Sequence, residues 1–261
     1  MRLQMFQVDA FTTRVFGGNP AAVLVLQDWL PDATMQLIAA ENNLAETAFA
    51  RPNGSGWDLR WFTPLMEVDF CGHATLATSH VLVSELGHSG ELRFATRVGN
   101  ITVVADGGSY RMDFPCFAPE PVDDGAINLR EDVGCEFETS FRNFENIFVV
   151  LADEAAVRAF RPRLPELTRW GRRGLVVTAR GDRHDFVSRY FAPGAGIAED
   201  PVTGSTHATL TPYWAGVLGR TRLSAFQCSA RGGELLCEMA GERVYVGGSA
   251  VTFMRAEITL D

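Results

Sequence analysis

The chain has no apolar run approaching the ~18 residues that a membrane span needs. Its opening Met1-Arg2-Leu3-Gln4-Met5-Phe6-Gln7-Val8 alternates like a strand and lacks the apolar block of a signal peptide. These absences predict a soluble, cytoplasmic protein with no membrane partner. Positive charge is also in deficit: 23 basic residues against 32 acidic ones leave a net charge of −9. No extended basic face for nucleic acid is expected from that balance, and the local crowd Arg161, Arg163, Arg169, Arg172 and Arg173 reads as a solvated face. Cysteine is scarce. Cys71, Cys116, Cys135, Cys228 and Cys237 are an odd set without Cys-x-x-Cys spacing, which suits reduced thiols better than a disulfide framework. Close histidine pairs are missing, and His73 with Cys71 is only an i, i+2 pair in a loop, so no metal is expected. Nucleotide signatures fail as well: Gly194-Ala195-Gly196-Ile197-Ala198-Glu199 carries glutamate where the third glycine belongs, and no phosphate loop ends in Gly-Lys-Ser/Thr.

What the chain does have is a repeat. Glu67-Val68-Asp69-Phe70-Cys71-Gly72-His73-Ala74-Thr75-Leu76 and Glu199-Asp200-Pro201-Val202-Thr203-Gly204-Ser205-Thr206-His207 are both polar loops that close on a glycine before a helical pattern. Asp58 to Pro64 precedes the first copy and Asp185 to Pro193 the second. Two registers compete: Gly72 with Gly204, which pairs His73 with Ser205, or the two His-Ala-Thr-Leu runs, which pair His73 with His207. The glycine register is preferred, because a glycine permits the tight turn and close ligand approach of a helix entry. With 261 residues, 46% hydrophobic and 21% charged, the chain is an ordinary globular sequence that divides into two similar halves.

Hydrophobic periodicity and turn residues predict a first half of strand, turn, strand around Gly17-Gly18-Asn19-Pro20, then a helix that Asp32 caps and that ends near Asn42-Asn43. Strands over 57–62, 91–96, 101–105 and 110–114 flank a helix from His73 to Gly87. The proline-rich stretch 115–130 reads as the linker. After it come a strand over 146–151, a helix over 153–160, strands over 174–178 and 186–191, and a helix over 205–218. Short strands over 223–228, 235–239 and 244–246 precede a closing segment, 251–260. Pro212 should kink or shorten the second long helix. The fold class is therefore α+β: two duplicated halves, each a mostly antiparallel sheet with one long helix entered at the glycine loop.

If the two helix starts face each other, their free N–H groups and partial positive charges make an anion site. A substrate carboxylate would be held there by the amides around Gly72 and Gly204 and by the Ser205 hydroxyl. Glu46 lies among Leu44, Ala45, Ala48 and Phe49, so desolvation should raise its pKa toward that of a general base. The plainer reading is a strand glutamate facing solvent. His73 at a helix N-terminus is expected to be neutral, a hydrogen-bonding or proton-relay group, unless a carboxylate such as Asp200 offsets the dipole. Asp200 before Pro201 could equally be a turn former.

At these residues the chain resembles the PhzF-like family, named for the phenazine-biosynthesis isomerase, within the diaminopimelate epimerase-like fold. The resemblance rests on Asp9-Ala10-Phe11 with Gly17-Gly18-Asn19-Pro20-Ala21-Ala22-Val23, on Asn43-Leu44-Ala45-Glu46-Thr47, Phe62-Thr63-Pro64 and Cys71-Gly72-His73-Ala74-Thr75, and on Glu199 to Ser205. It implies a cofactor-free isomerase of two α/β-roll halves, each a sheet around a central helix. The halves would be 1–116 and 117–250, with 251–261 returning to the first, and the molecule a homodimer. By position it implies Glu46 as the base that moves a proton between carbons of a small carboxylate-bearing metabolite. His73, Asp200 and Ser205 would assist the transfer or bind substrate, and Asn19 and Gly72 would line the cleft. Related amino-acid epimerases use two cysteines, whereas Thr203 stands here where the second would be, so Cys71 is expected to be a small buried residue. The alternatives are a thiol-dependent racemase or epimerase, and a ligand-binding or scaffold protein without turnover.

Overall fold

The computed structural model describes residues 1–122 and 127–261; the stretch 123–126, inside the expected linker, lies outside the described residues. The chain divides into one unit of Met1–Phe114 with Gly247–Asp261 and another of Pro115–Val246.

In the first unit the elements run β1 (Arg2–Ala10), β2 (Asn19–Val25), α1 (Asp32–Asn42), β3 (Glu46–Asn53), β4 (Gly56–Phe62), β5 (Glu67–Val68), α2 (Gly72–His80), β6 (Glu91–Thr96), β7 (Gly99–Asp106) and β8 (Ser109–Pro115). In the second they run α3 (Leu129–Val133), β9 (Thr139–Arg142), β10 (Asn146–Val150), α4 (Glu154–Ala159), α5 (Leu164–Thr168), β11 (Gly174–Arg180), β12 (Phe186–Ala192), β13 (Ile197–Asp200), α6 (His207–Leu218), β14 (Arg222–Gln227) and β15 (Gly233–Ala240). The final strand, β16 (Arg243–Thr259), begins in the second unit and returns through Gly247 to the first. Its 17 residues merge what the sequence pattern divides into 244–246 and 251–260.

The order β1-β2-β3-β4-β6-β7-β8-β16 closes into an eight-stranded ring, because β16 also pairs antiparallel with β1. Closure removes the exposed edges that an open sheet must protect. The ring is mostly antiparallel, as expected, with two parallel pairings among the antiparallel ones, β2–β3 and β4–β6. Parallel neighbours need a crossover, and the crossovers here carry α1 and α2. All nine residues of α2 are buried, against β1, β2, β3 and β7. A helix enclosed on every side has no water for its polar side chains, and three of them turn onto its own backbone: Thr75, Thr78 and Ser79 donate to the carbonyls of Cys71, Ala74 and Thr75 at 2.6, 2.7 and 2.9 Å. Beyond His80 it widens into a π turn, Val81–Glu85, before Gly87 at φ +75°. Asp32 does not cap α1. Pro31 precedes the helix, and the Asp32 carboxylate instead lies 2.9 Å from Arg60. The C-terminal end is as expected, with Asn43 left-handed at φ 49°.

In the second unit the order is β16-β15-β14-β12-β11-β10-β9, with β13 on β12. The senses along β10-β11-β12-β14-β15 are parallel, antiparallel, parallel, antiparallel, as along β2-β3-β4-β6-β7. The units are nevertheless not plain copies. Among the described residues no pairing closes the second path into a ring, and α6 buries His207 to Thr211 and Trp214 while its remaining residues are partly or fully exposed. Pro212 neither ends α6 nor leaves a carbonyl stranded. The acceptor it frees, the Ala208 carbonyl, takes the N–H of Phe117 at 3.2 Å. The expected linker is thus docked at its start. The core of this unit gathers Val149, Leu175, Val177, Val187 and Phe191 from the sheet with Val157 and Leu167 from α4 and α5.

Candidate active site

In the first unit the turn at Gly17-Gly18 sets Asn19. Gly18 has φ +61°, and a Cβ there would lie 2.0 Å from the Ala10 carbonyl oxygen, so only glycine fits. The turn is braced by buried Asp9, which accepts the Phe16 N–H at 2.8 Å. Asn19 then opens β2 fully buried, and the parallel register of β2 with β3 sets Ala21 opposite Glu46. His73 follows the first residue of α2 and completes the group.

Its two ring nitrogens face different chemistry. Nδ1 lies 3.2 Å from Asn19 Nδ2 and 3.4 Å from Cys71 Sγ, whereas Nε2 lies 3.2 Å from Glu46 Oε2. The last is an ion-pair distance without hydrogen-bond alignment. The Glu46 side chain is 14% exposed and that of His73 6%. Burial pushes the His73 pKa down to about 3, only partly offset by a hydrogen bond to the Pro20 carbonyl. The ring is therefore neutral, as expected, but through desolvation more than through the helix dipole. The carboxylate observed beside it is Glu46, where the sequence offered Asp200. A neutral imidazole between a thiol and a carboxylate can pass a single proton from one side to the other.

Glu46, Cys71 and His73 also offer one ligand atom each within 4.8 Å of one another. The thiol and the carboxylate, however, approach opposite nitrogens of one imidazole. Thiol, imidazole and carboxylate in that order are the arrangement of a proton chain.

In the second unit Asp200 ends β13, Gly204 and Ser205 form a turn, and α6 starts only at His207. The turn is tight: the N–H groups of His207 and Ala208 donate to the carbonyls of Gly204 and Ser205, both at 3.1 Å. The sequence reading starts this helix at Ser205, next to the glycine; the observed entry, at His207, is two residues later. Ser205 is half-buried and Gly204 buried. The Thr203 hydroxyl donates to Asp200 Oδ2, and Gln227 on β14 binds both residues. His207 is fully buried with Nδ1 2.8 Å from the Thr203 carbonyl, and burial pulls its pKa down to about 4, offset in part by that bond.

Cys71 is buried, as the sequence suggests, and stands beside the His73 ring. Sequence reasoning missed the tie of Thr203 to Asp200 and the part of Gln227 in it. The i, i+3 spacing of Asp200 and Thr203 in a turn was a usable signal; nothing local marked Gln227, which reaches the loop from another strand. A surface cavity of about 430 Å³ between α3 and α5, lined by Asp132, Arg169 and Trp170 among others, contains none of the expected residues.

The chain matches the phenazine biosynthesis-like (PhzC-PhzF) family over residues 8–256. It is 48% identical over 261 residues to an uncharacterized isomerase of Pseudomonas aeruginosa, covering 100% of each chain. Among solved structures, a phenazine biosynthesis protein of the PhzF family from Enterococcus faecalis superposes with a TM-score of 0.95 at 44% identity, covering 100% of both chains. A hydroxyproline epimerase from Agrobacterium vitis shares the fold alone, with a TM-score of 0.62 at 10% identity over 100% of this chain and 93% of that one.

Proposed function

Because the chain belongs to the phenazine biosynthesis-like (PhzC-PhzF) family and is an isomerase of that family, we propose that it moves a proton between two carbons of a small carboxylate-bearing metabolite, cyclic or unsaturated, by general acid/base catalysis. The observation that carries the reading is the nearly buried Glu46 carboxylate 3.2 Å from a neutral His73. Glu46 removes a proton from one substrate carbon, the C–H electron pair shifts into the adjacent π system, and a proton, exchangeable with solvent while Glu46 holds it, is returned to the carbon at the far end. The double bond migrates and no electrons are gained or lost. His73 orients the carboxylate and relays the proton; Asp200 and Ser205 assist the transfer or bind substrate. Asn19 and the backbone at Gly72 and Gly204 hold the substrate, with the N-terminus of α2 as carboxylate donor.

The reaction needs no cofactor on this reading. A lysine Schiff base is in any case closed to this chain, whose 23 Lys and Arg residues are all arginine. The recurring order of pairing senses supports descent of the two units from one duplicated α/β roll of the diaminopimelate epimerase-like kind. The reading also takes the protein as a cytoplasmic homodimer.

One observation favours a thiol-dependent racemase or epimerase: Cys71 Sγ lies 3.4 Å from His73 Nδ1. Against it stands Thr203, whose hydroxyl is too weak an acid to serve as an opposed thiol. Incubating a panel of small cyclic and unsaturated carboxylates with the enzyme in deuterated water, read by mass spectrometry, separates the readings. Uptake should vanish in a folded Glu46→Gln enzyme and survive Cys71→Ser. Uptake that survives Glu46→Gln removes Glu46 from the mechanism, and loss on Cys71→Ser installs the thiol. A carboxylate that binds but never exchanges favours the non-catalytic reading.

A further inference from the structure

Thr203 is the most heavily tied residue of the second unit's loop. Its N–H donates to Gln227 Oε1 at 2.8 Å. Its carbonyl accepts from Thr206 Oγ1 at 2.9 Å and lies 2.8 Å from His207 Nδ1. Its hydroxyl meets both Asp200 Oδ2 and, at 3.2 Å, Gln227 Nε2. Gln227 is fully buried, and its Nε2 also donates to the Asp200 carbonyl at 2.9 Å. Ser229 pins the same loop by donating to the Pro201 carbonyl at 2.8 Å.

The directions of these bonds are forced. Because the Thr203 N–H needs an acceptor, the oxygen of the Gln227 amide must point at it, and the NH₂ then donates both of its protons, to the Asp200 carbonyl and to Thr203 Oγ1. The single hydroxyl proton of Thr203 is left for the Asp200 carboxylate. A proton on that carboxylate oxygen would leave two donors facing each other.

We propose that Thr203 is the positioning residue for Asp200: with Gln227 behind it, its hydroxyl fixes one carboxylate oxygen as an acceptor and so sets how the carboxylate is turned. The place of an opposed thiol is thus filled by a group that works through its neighbour rather than by acid strength of its own. The inference rests on the proposed role of Asp200, but its structural half can be tested separately.

The test is the titration of Asp200 followed by NMR on protein carrying ¹³C-labelled aspartate carboxyls, with the resonance assigned by Asp200→Asn. Removing the donor from an ionised acceptor raises the acceptor's pKa, so Thr203→Val should move the Asp200 midpoint up by about one pH unit. Thr203→Ser should restore it. Thr203→Cys, a weaker donor, should fall between, and it carries the test if the valine variant does not fold. An unchanged midpoint in the valine or cysteine variant overturns the proposal. Proton exchange in deuterated water then gives the catalytic half. Thr203→Val should lower kcat about tenfold with KM little changed, the loss of one charge-assisted bond, and Thr203→Ser should rescue it. Exchange that persists in Asp200→Asn defeats the role of Asp200 in the reaction, an outcome separate from the titration result.

Discussion

Two fully enclosed imidazoles make this protein sensitive to mild acid. In an unfolded chain His73 and His207 would titrate near 6.5, whereas in the folded chain burial delays protonation to about 3 and about 4. Between those limits the unfolded state binds protons that the folded state refuses. Stability is therefore complete above about pH 6.5 and declines on acidification, by up to ~1.4 kcal/mol per pH unit for each ring. Going from pH 7 to pH 5, the linkage relation assigns about 2 kcal/mol to each histidine, or about 4 kcal/mol together. A fall of roughly 10 °C in melting temperature follows for a chain of this size.

His80, lowered by burial, acts in the same sense, and Glu145, raised by burial, acts against it. Glu85, held down by the Arg255 guanidinium, contributes stability that is lost only below the ordinary carboxylate range, outside this window. Urea unfolding at pH 7, 6 and 5 measures the slope. His207→Asn keeps a donor toward the Thr203 carbonyl but cannot titrate, so it should remove about half of the decline. A wild-type stability flat over this range, or an undiminished slope in His207→Asn, would refute the reasoning.

Other expectations concern the frame. Gly18→Ala forces a Cβ against the Ala10 carbonyl at a left-handed position and should cost at least about 1–3 kcal/mol in urea unfolding; a neutral result would mean that the turn before Asn19 is not constrained. Pro212→Ala should return far less than the ~3 kcal/mol of a proline inside a helix, because the freed Ala208 carbonyl already has the Phe117 N–H; the full gain would show that bond to be worthless. Arg60 makes paired 2.7 Å bonds to Glu67 and lies over the Trp29 and Phe62 rings, so Arg60→Leu should lower stability by about 1–2 kcal/mol. No loss on that change would reduce the cluster to decoration.

Elements bounded by strong local signals were legible in the residues. The runs at 91–96, 146–151 and 186–191 are short and set off by turn residues, and they became the strands Glu91–Thr96, Asn146–Val150 and Phe186–Ala192, within a residue of those bounds. What escaped was non-local. The parallel pairings of β2 with β3 and of β12 with β14 depend on which helix crosses where, which no period in the strands encodes. Gly247-Gly248 falls between the expected strand over 244–246 and the closing segment 251–260. It sits instead inside β16, where a Cβ on Gly247 would come within 2.7 Å of the Tyr110 carbonyl oxygen, so the glycine serves close strand approach. Pro212 obeyed its own rule, but Phe117, far away in sequence, supplied the compensating donor. In the candidate site, chemistry announced Glu46, His73 and Asp200 as single residues, while their immediate partners, Cys71 for the ring and Thr203 with Gln227 for the aspartate, were set by packing.

The return of β16 also orders events during synthesis. Residues 1–114 emerge first, yet their ring lacks a stave until 247–261 have been translated, and β1 waits with one edge unpaired while the whole second unit is made. The later-made unit can thus mature before the earlier one. A nascent chain stalled before Gly247 would expose two adhesive borders, those of β1 and β8, to whatever other polypeptides surround the ribosome.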